Sequence, residues 1–353
     1  MRAVNPEGKQ NHPYGTKLLL ALIVLAVLFV VSFLLGRYPV HPLELGGMLL
    51  DSILTKLHLS GIFHIEPFWD EHTESIFFNV RLPRILLACM VGCCISTSGA
   101  AYQGVFQNPM AAPDILGASS GAAFGAALAI LTGCTSWGIT VLAFVFSLLT
   151  VCLVMLVSRY ANGDKVLGLI LGGIIISSLF SSGTSYIKLV ADPNDELPKI
   201  TYWLMGSLTE AKMEQVLFAL IPMLIGIIPL LLLRWRINIL TLGDEEARSM
   251  GVDTRKVRAL VIICSTLITA ASVSVSGMIG WVGLVVPHFA RRLIGNNYMR
   301  LLPMTMIVGA AFLLAVDDIS RNLMAKEIPL GILTSLVGAP FFIYLITRKE
   351  ARL

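Results

Sequence analysis

Lys17-Leu-Leu-Leu-Ala-Leu-Ile-Val-Leu-Ala-Val-Leu-Phe-Val-Val-Ser-Phe-Leu-Leu-Gly-Arg37 decides the fold class: between two cations stand 19 uncharged residues, Leu18–Gly36. A helix needs about 20 apolar residues to cross about 30 Å of hydrocarbon, so this run reads as a membrane span. The basic residues ahead of it (Arg2, Lys9, Lys17) have the look of a secretory leader. The apolar run is too long for one, and no small-x-small cleavage site follows, so the helix is expected to stay.

The whole chain agrees with its first span. Of 353 residues 56% are hydrophobic and only 14% charged, with a mean hydropathy of +0.80. Soluble domains carry about 25% charge, and an apolar excess this large on a chain this long leaves too little polar surface to face water. Disordered, collagenous and disulfide-stapled classes are excluded by the low charge, the lack of a glycine period and the few cysteines. What remains is an all-α, polytopic membrane protein. The net charge of +4 gives no reason to expect a nucleic-acid partner. Cys89, Cys93, Cys94, Cys134, Cys152 and Cys264 lie in or beside apolar stretches with no paired C-x-x-C spacing, and read as buried, small-hydrophobe cysteines.

Further charge-free windows follow. Arg84 to Asp114 holds one span and a break at Asn108-Pro109; Asp114 to Arg159 encloses 44 residues, two spans joined near 133–138. Lys165–Lys188 and Glu214–Arg234 hold one each. Arg258 to Arg291 encloses 32 residues with a polar break at 272–280, hence two shortened helices. Arg300–Asp317 and Glu327–Arg348 bring the total to ten. An even count places both termini on one side, and with the N-terminus inside, the inner segments hold 17 of the 26 Lys and Arg residues. The positive-inside rule then places both termini in the cytoplasm of a bacterial inner (plasma) membrane protein.

Several patterns bear on function. The outer segment 38–80 carries His41, His58, His64 and His72, without the i, i+4 or tight-hairpin spacing that metal ligands favour; no metal site is expected. Gly117, Gly121 and Gly125 form a small-residue stripe that allows close helix packing. Ser178, Ser181, Ser182 and Ser185 share one face of the fifth span. They read equally as serines bonded back to their own helix or as a hydroxyl wall of a hydrated pathway. No P-loop, H-E-x-x-H or G-x-S-x-G is present, so catalytic chemistry has no residues to carry it. Asp114, Asp317 and Asp318 are the only acids in or beside apolar windows and lie near span ends, which disfavours an ion-coupled carrier with a buried midplane charge.

The cytoplasmic loop 235–258 contains Leu242-Gly-Asp-Glu-Glu-Ala-Arg-Ser-Met-Gly-Val-Asp-Thr-Arg-Lys-Val-Arg258. Asp244, Glu245 and Glu246 suit a helix start, Gly251 a C-terminal cap, and Asp253 or Thr254 the next N-cap. Two short helices are expected here, either as a solvated loop or as a docking element.

These stretches together resemble a known family. Arg81-Leu-Pro-Arg84, the run Ser98–Ala122 with its Gln107-Asn-Pro-Met110, Tyr202-Trp-Leu-Met-Gly206, the Leu242–Arg258 loop, Ser276–Arg291, Glu327-Ile-Pro-Leu-Gly331 and Gly338-Ala-Pro340 are similar to the permease subunit of the iron-siderophore, haem and cobalamin family of bacterial ABC importers (type II importers). The likeness runs from about residue 15 to 348. It implies a single permease domain over 1–353 with ten spans, in a homodimer or a pair with a close paralogue. It also implies two cytoplasmic ATPase subunits that use ATP and Mg2+, and an extracytoplasmic binding protein; no cofactor is bound by this chain. Leu242, Gly243, Asp244, Glu245, Ala247, Arg248 and Gly251 would couple to the ATPase. Arg81, Arg84 and Arg321 would dock the binding protein, and the four serines of the fifth span would line the pathway. The commonest cargo in the family, an iron(III)-siderophore, is expected, with haem or cobalamin as alternatives. The outer segment 38–80 is long for the family.

Overall fold

The computed structural model describes residues 14–36, 38, 41–56, 68–160 and 165–347. Its elements are α1 (Tyr14–Leu34), α2 (Pro42–Lys56), α3 (Glu71–Ile76), α4 (Leu82–Val105), α5 (Ala118–Leu131), α6 (Ser136–Tyr160) and α7 (Lys165–Val190). Then come α8 (Glu196–Leu204), α9 (Met213–Leu240), α10 (Asp244–Ser249), α11 (Thr254–Ser276), α12 (Val282–Ile294), α13 (Tyr298–Asn322) and α14 (Leu330–Thr347). Seven helical stretches are long and apolar enough to cross a membrane, and α5 and α14 are shorter apolar helices. With α12, whose 13 residues follow the break after α11, they make the ten expected crossings.

α4 is the central helix: 19 of its 24 residues are buried, and it packs on α9, α11, α12 and α13. Backbones touch at glycines. A Cβ on Gly99 would lie 1.9 Å from the Gly283 carbonyl oxygen of α12, and one on Gly92 would lie 2.3 Å from the Gly309 oxygen of α13. Without hydrophobic drive between helices in lipid, such close approach supplies dispersion contacts and weak hydrogen bonds instead. The Gly117/Gly121/Gly125 stripe does the same: Cβ atoms on Gly121 and Gly125 would sit 2.5 Å from the Phe146 and Leu142 oxygens of α6, and one on Gly117 would strike Ser177 of α7.

Three local expectations need correction. The segment 38–80 is helical over α2 and again from Glu71, where α3 runs through a π-helical turn, Phe77–Arg81, into α4. Arg81 and Arg84 therefore sit inside one 35-residue helix rather than at the start of a span. His58 and His64 lie outside the described residues. In 235–258 there is one short helix, α10, and not two. Asp253 accepts a hydrogen bond from the Lys256 N–H (3.1 Å) and starts the spanning helix α11 directly. Val257 and Val261, buried one turn apart, carry the apolar period on without a break. Finally, Cys134 and Cys152 are exposed, unlike the buried Cys94 and Cys264; Cys134 lies in the short α5–α6 turn and Cys152 on an outward face of α6.

Candidate functional site

The side chains picked out from the sequence lie at the two ends of the bundle and along α7. At one end, α10 joins α9 to α11. Gly243 precedes it with φ +126° and Gly251 follows with φ +79°, both in the left-handed region that costs other residues strain. The Gly251 and Val252 N–H groups donate to the Arg248 (2.9 Å) and Ala247 (3.0 Å) carbonyls, closing the helix as a glycine C-cap does. Ala247, Val252 and Val257 anchor the unit in the core, and Arg258 pairs with Asp244 at 2.8 Å. Held this way, α10 presents Leu242, Glu245, Glu246, Arg248 and Met250 outward. The Lys256 N–H, bonded to the Asp253 carboxylate, holds that carboxyl below its ordinary range.

Along α7, Ser178, Ser181, Ser182 and Ser185 are all exposed, on one face with Leu171, Ile174, Ile175 and Leu179. Ser178 and Ser185 also donate to the Ile174 and Ser181 carbonyls at 2.8 and 2.9 Å. Back-bonding thus satisfies the hydroxyl protons of Ser178 and Ser185, while all four serines stay exposed.

The opposite end holds a buried ionic cluster. Arg84 forks onto Asp317 through Nε (3.0 Å) and Nη2 (2.9 Å) and reaches Glu327 with Nη1 at 2.9 Å. Arg321 pairs with Asp317 at 3.2 Å and with Asp318, which also accepts from the Ser32 hydroxyl of α1 at 2.6 Å. Arg81, placed by the π-turn beside the end of α1, donates to the Phe33 and Tyr38 carbonyls; such helix-terminal oxygens lack partners within their own helix. Phe77 stacks on Phe33 at 4.8 Å and pins the same joint. Two guanidinium groups, those of Arg84 and Arg321, thus face three carboxylates, with Arg81 held beside them by backbone carbonyls, and the α4 and α13 members are each under 10% exposed.

The three basic residues expected at a docking rim are thus buried in the single chain. Arg81, Arg84 and Arg321 spend their hydrogen bonds inside the subunit, because an unpaired charge in a low-dielectric interior is far costlier than a paired one. Asp317 lies five residues from the end of α13, about 7.5 Å along the axis, so the acids are near a span end as expected. Ser32, which completes the cluster, was not picked out from the sequence, and Glu327 stood there only as the head of the Glu327–Gly331 motif, with no sign of its partner.

Beside the cluster opens a cavity of about 620 Å3 between the α5–α6 turn, α8, the start of α9 and the α11–α12 break. Its walls include Thr140, Tyr202, Trp203, Ser207, Thr209, Gln215, Ser274 and Ser276. Irregular backbone at membrane depth is tolerated where it is buried in protein or lines a polar cavity, and the break 277–281 does both. Among the described residues no group of three or more His, Cys, Asp and Glu side chains could hold a metal ion.

Residues 19–348 match the family model described as the FecCD transport family. The chain is 41% identical over 347 residues to the molybdate import system permease protein MolB of Haemophilus influenzae, covering 98% of each. It is 39% identical over 323 residues to the hemin transport system permease protein HmuU of Yersinia pestis, covering 87% of this chain and 96% of that one. An inward-facing structure described as that of a metal-chelate type ABC transporter matches with a TM-score of 0.82 at 39% identity. It covers 94% of this chain and 99% of the other. The spans counted from charge-free windows, the break after α11 and the capped α10 thus belong to a shared architecture: the chain is a member of the FecCD transport family, a multi-pass ABC permease subunit.

Proposed function

We propose that the chain is the membrane subunit of an ATP-driven importer of a metal-bearing solute, working as a pair of copies. The α10 end would face the cytoplasm with both termini, and an extracytoplasmic binding protein would deliver cargo at the α8 end. The observation that carries this reading is α10 itself. A six-residue helix capped at both ends by left-handed glycines joins two spanning helices and turns Leu242, Glu245, Arg248 and Met250 outward. Two cytoplasmic ATPase subunits, using ATP and Mg2+, would grip these helices and transmit their closure to α9 and α11. Pairing of two copies through the exposed α7 face would bring the eight serines to a shared pathway. The binding protein would dock at Arg81, Arg84 and Arg321, which would mean drawing these buried side chains from their internal partners.

For cargo, an iron(III) chelate is the leading reading: a neutral hydroxyl face suits a bulky polar complex, and haem or cobalamin would suit it too. Molybdate is the second reading, favoured by the relative that matches almost end to end and bears that name. The test of the coupling is Glu245→Arg. The variant is expected to insert normally and lose ATP-driven uptake, and normal uptake would refute the role of α10. A co-purified binding protein titrated with ferric chelates, haemin, cobalamin and molybdate would separate the cargoes.

A further inference from the structure

One carboxylate oxygen of Glu327, Oε2, joins the ionic cluster to Thr209 of the cavity wall. It receives Arg84 Nη1 at 2.9 Å and the Thr209 hydroxyl at 3.0 Å. With its proton given to Glu327, the Thr209 oxygen accepts from the Ser207 hydroxyl at 2.6 Å and the Tyr202 hydroxyl at 3.2 Å. The turn 205–209 that carries these groups is also anchored by the buried Leu208 and by backbone bonds. Its Ser207 N–H donates to the Ser276 carbonyl at 2.8 Å. The Gly206 and Met205 carbonyls accept from Leu330 and Gly331 at 2.8 and 3.0 Å. Those last two partners sit three and four residues beyond Glu327 on the same strand of chain. The turn and the start of α14 therefore form one backbone-bonded unit, and Glu327 ties that unit to α4.

Charge balance alone does not explain this arrangement. Arg84 already donates from Nε and Nη2 to Asp317, and Glu327 is the most exposed acid of the cluster, at 23% against 0% for Asp317. The cavity floor just behind the turn is buried, with Ser274 and Ser276 at 2% and 1% exposure.

We infer that Glu327 is a positioning residue. Through Thr209 it holds the 205–209 turn against the cavity mouth, and through Arg84 it references that turn to the fixed α4–α13 body. The inference rests on the permease reading only in taking this mouth as an entrance for solute; the closure itself is a property of the single chain. Release of the Glu327–Thr209 bond loosens the Thr209 end of the turn, opens the way to the cavity floor and leaves the Arg84–Asp317 pair intact.

The experiment places a reporter at the floor, Ser276→Cys, in a chain carrying Cys134→Ser and Cys152→Ser, reconstituted in liposomes. The rate of labelling by a membrane-impermeant maleimide is then measured. Thr209→Val removes the donor without touching any charge and is expected to raise the rate about tenfold, the loss of one bond to a charged acceptor; Glu327→Gln does so at least equally. Thr209→Ser restores the parent rate. If Glu327 merely neutralises Arg84, Thr209→Val labels at the parent rate, and that result overturns the inference even where Glu327→Gln does not fold. Because the readout needs no ATPase and no cargo, its failure would leave the importer reading standing, and loss of the importer reading would leave this result standing.

Discussion

Gly99→Ala asks how much of the fold depends on backbone contact between α4 and α12. The added Cβ would meet the Gly283 oxygen at 1.9 Å, its carbonyl carbon at 2.6 Å and its Cα at 2.8 Å. Real Cβ atoms essentially never come closer than 3.0 Å, so the helices must separate by at least the difference, and the obstacle is backbone that no rotamer change can remove. α12 has no slack to give: the Cβ direction of Gly283 is filled by Pro113 at 2.2 Å and the Ile95 oxygen at 2.9 Å. Overpacking typically costs about 1–3 kcal/mol, and a rigid partner places this substitution at about 3 kcal/mol or above. Where 1 kcal/mol moves the midpoint by about 2–4 °C, that corresponds to a fall of roughly 6–12 °C. The assay is thermal unfolding of the detergent-solubilised chain, followed by size exclusion. Gly15→Ala is the control: nothing lies within 4 Å of its Cβ, and alanine favours helix by up to about 1 kcal/mol. A Gly99→Ala variant melting within about 2 °C of the parent, less than 1 kcal/mol is worth, would refute the reasoning.

Three further outcomes are expected. Arg84→Ala leaves the buried Asp317 with Arg321 as its sole cation and Glu327 with no cation, and should destabilise the chain by about 3 kcal/mol, read as loss of monodisperse protein; Arg84→Lys should recover only part, since ammonium cannot fork onto a carboxylate. Ser182→Trp, on the exposed α7 face, should leave the melting midpoint unchanged and abolish uptake in the reconstituted transporter; retained uptake would remove α7 from the pathway. Asp253→Asn tests the cap of α11. Its folded pKa is depressed, so the stability it contributes is present above the ordinary carboxylate range, about pH 4, and is lost as pH falls through the lower folded value. Parent and variant should therefore differ in midpoint at pH 7 and converge in acid; an unchanged gap at both would contradict the bonding seen at Lys256.

Much of the fold was legible because lipid imposes a coarse rule. Runs such as Leu18–Gly36 must cross, and charges such as Arg159 and Lys165 must stay out, so ten crossings could be counted without knowing any contact. The capped helix α10 was legible for a local reason, since Gly243, the acids after it and Gly251 act within a few residues of each other. The second short helix failed on the same ground: Asp253 reads as a cap, yet capping does not say whether the helix it starts is short or spanning. What could not be read was pairing across the chain. Arg84 and Asp317 lie 233 residues apart, and a basic residue at the head of a span looks the same in sequence whether it faces water or a buried carboxylate. The Ser32, Thr209 and Glu327 contacts were hidden for that reason too. The serines of α7 were placed on one face correctly, because the 3.6-residue period settles faces, though not what those faces meet.

The most direct test of the account is to tag the chain in its native host, solubilise it gently, identify what co-purifies, and reconstitute the result in liposomes. The account predicts an ATPase in equal proportion to this chain, a binding protein retained at low salt, and uptake of a metal-bearing solute that stops without ATP. A chain that purifies alone and moves the same solute without ATP would contradict it.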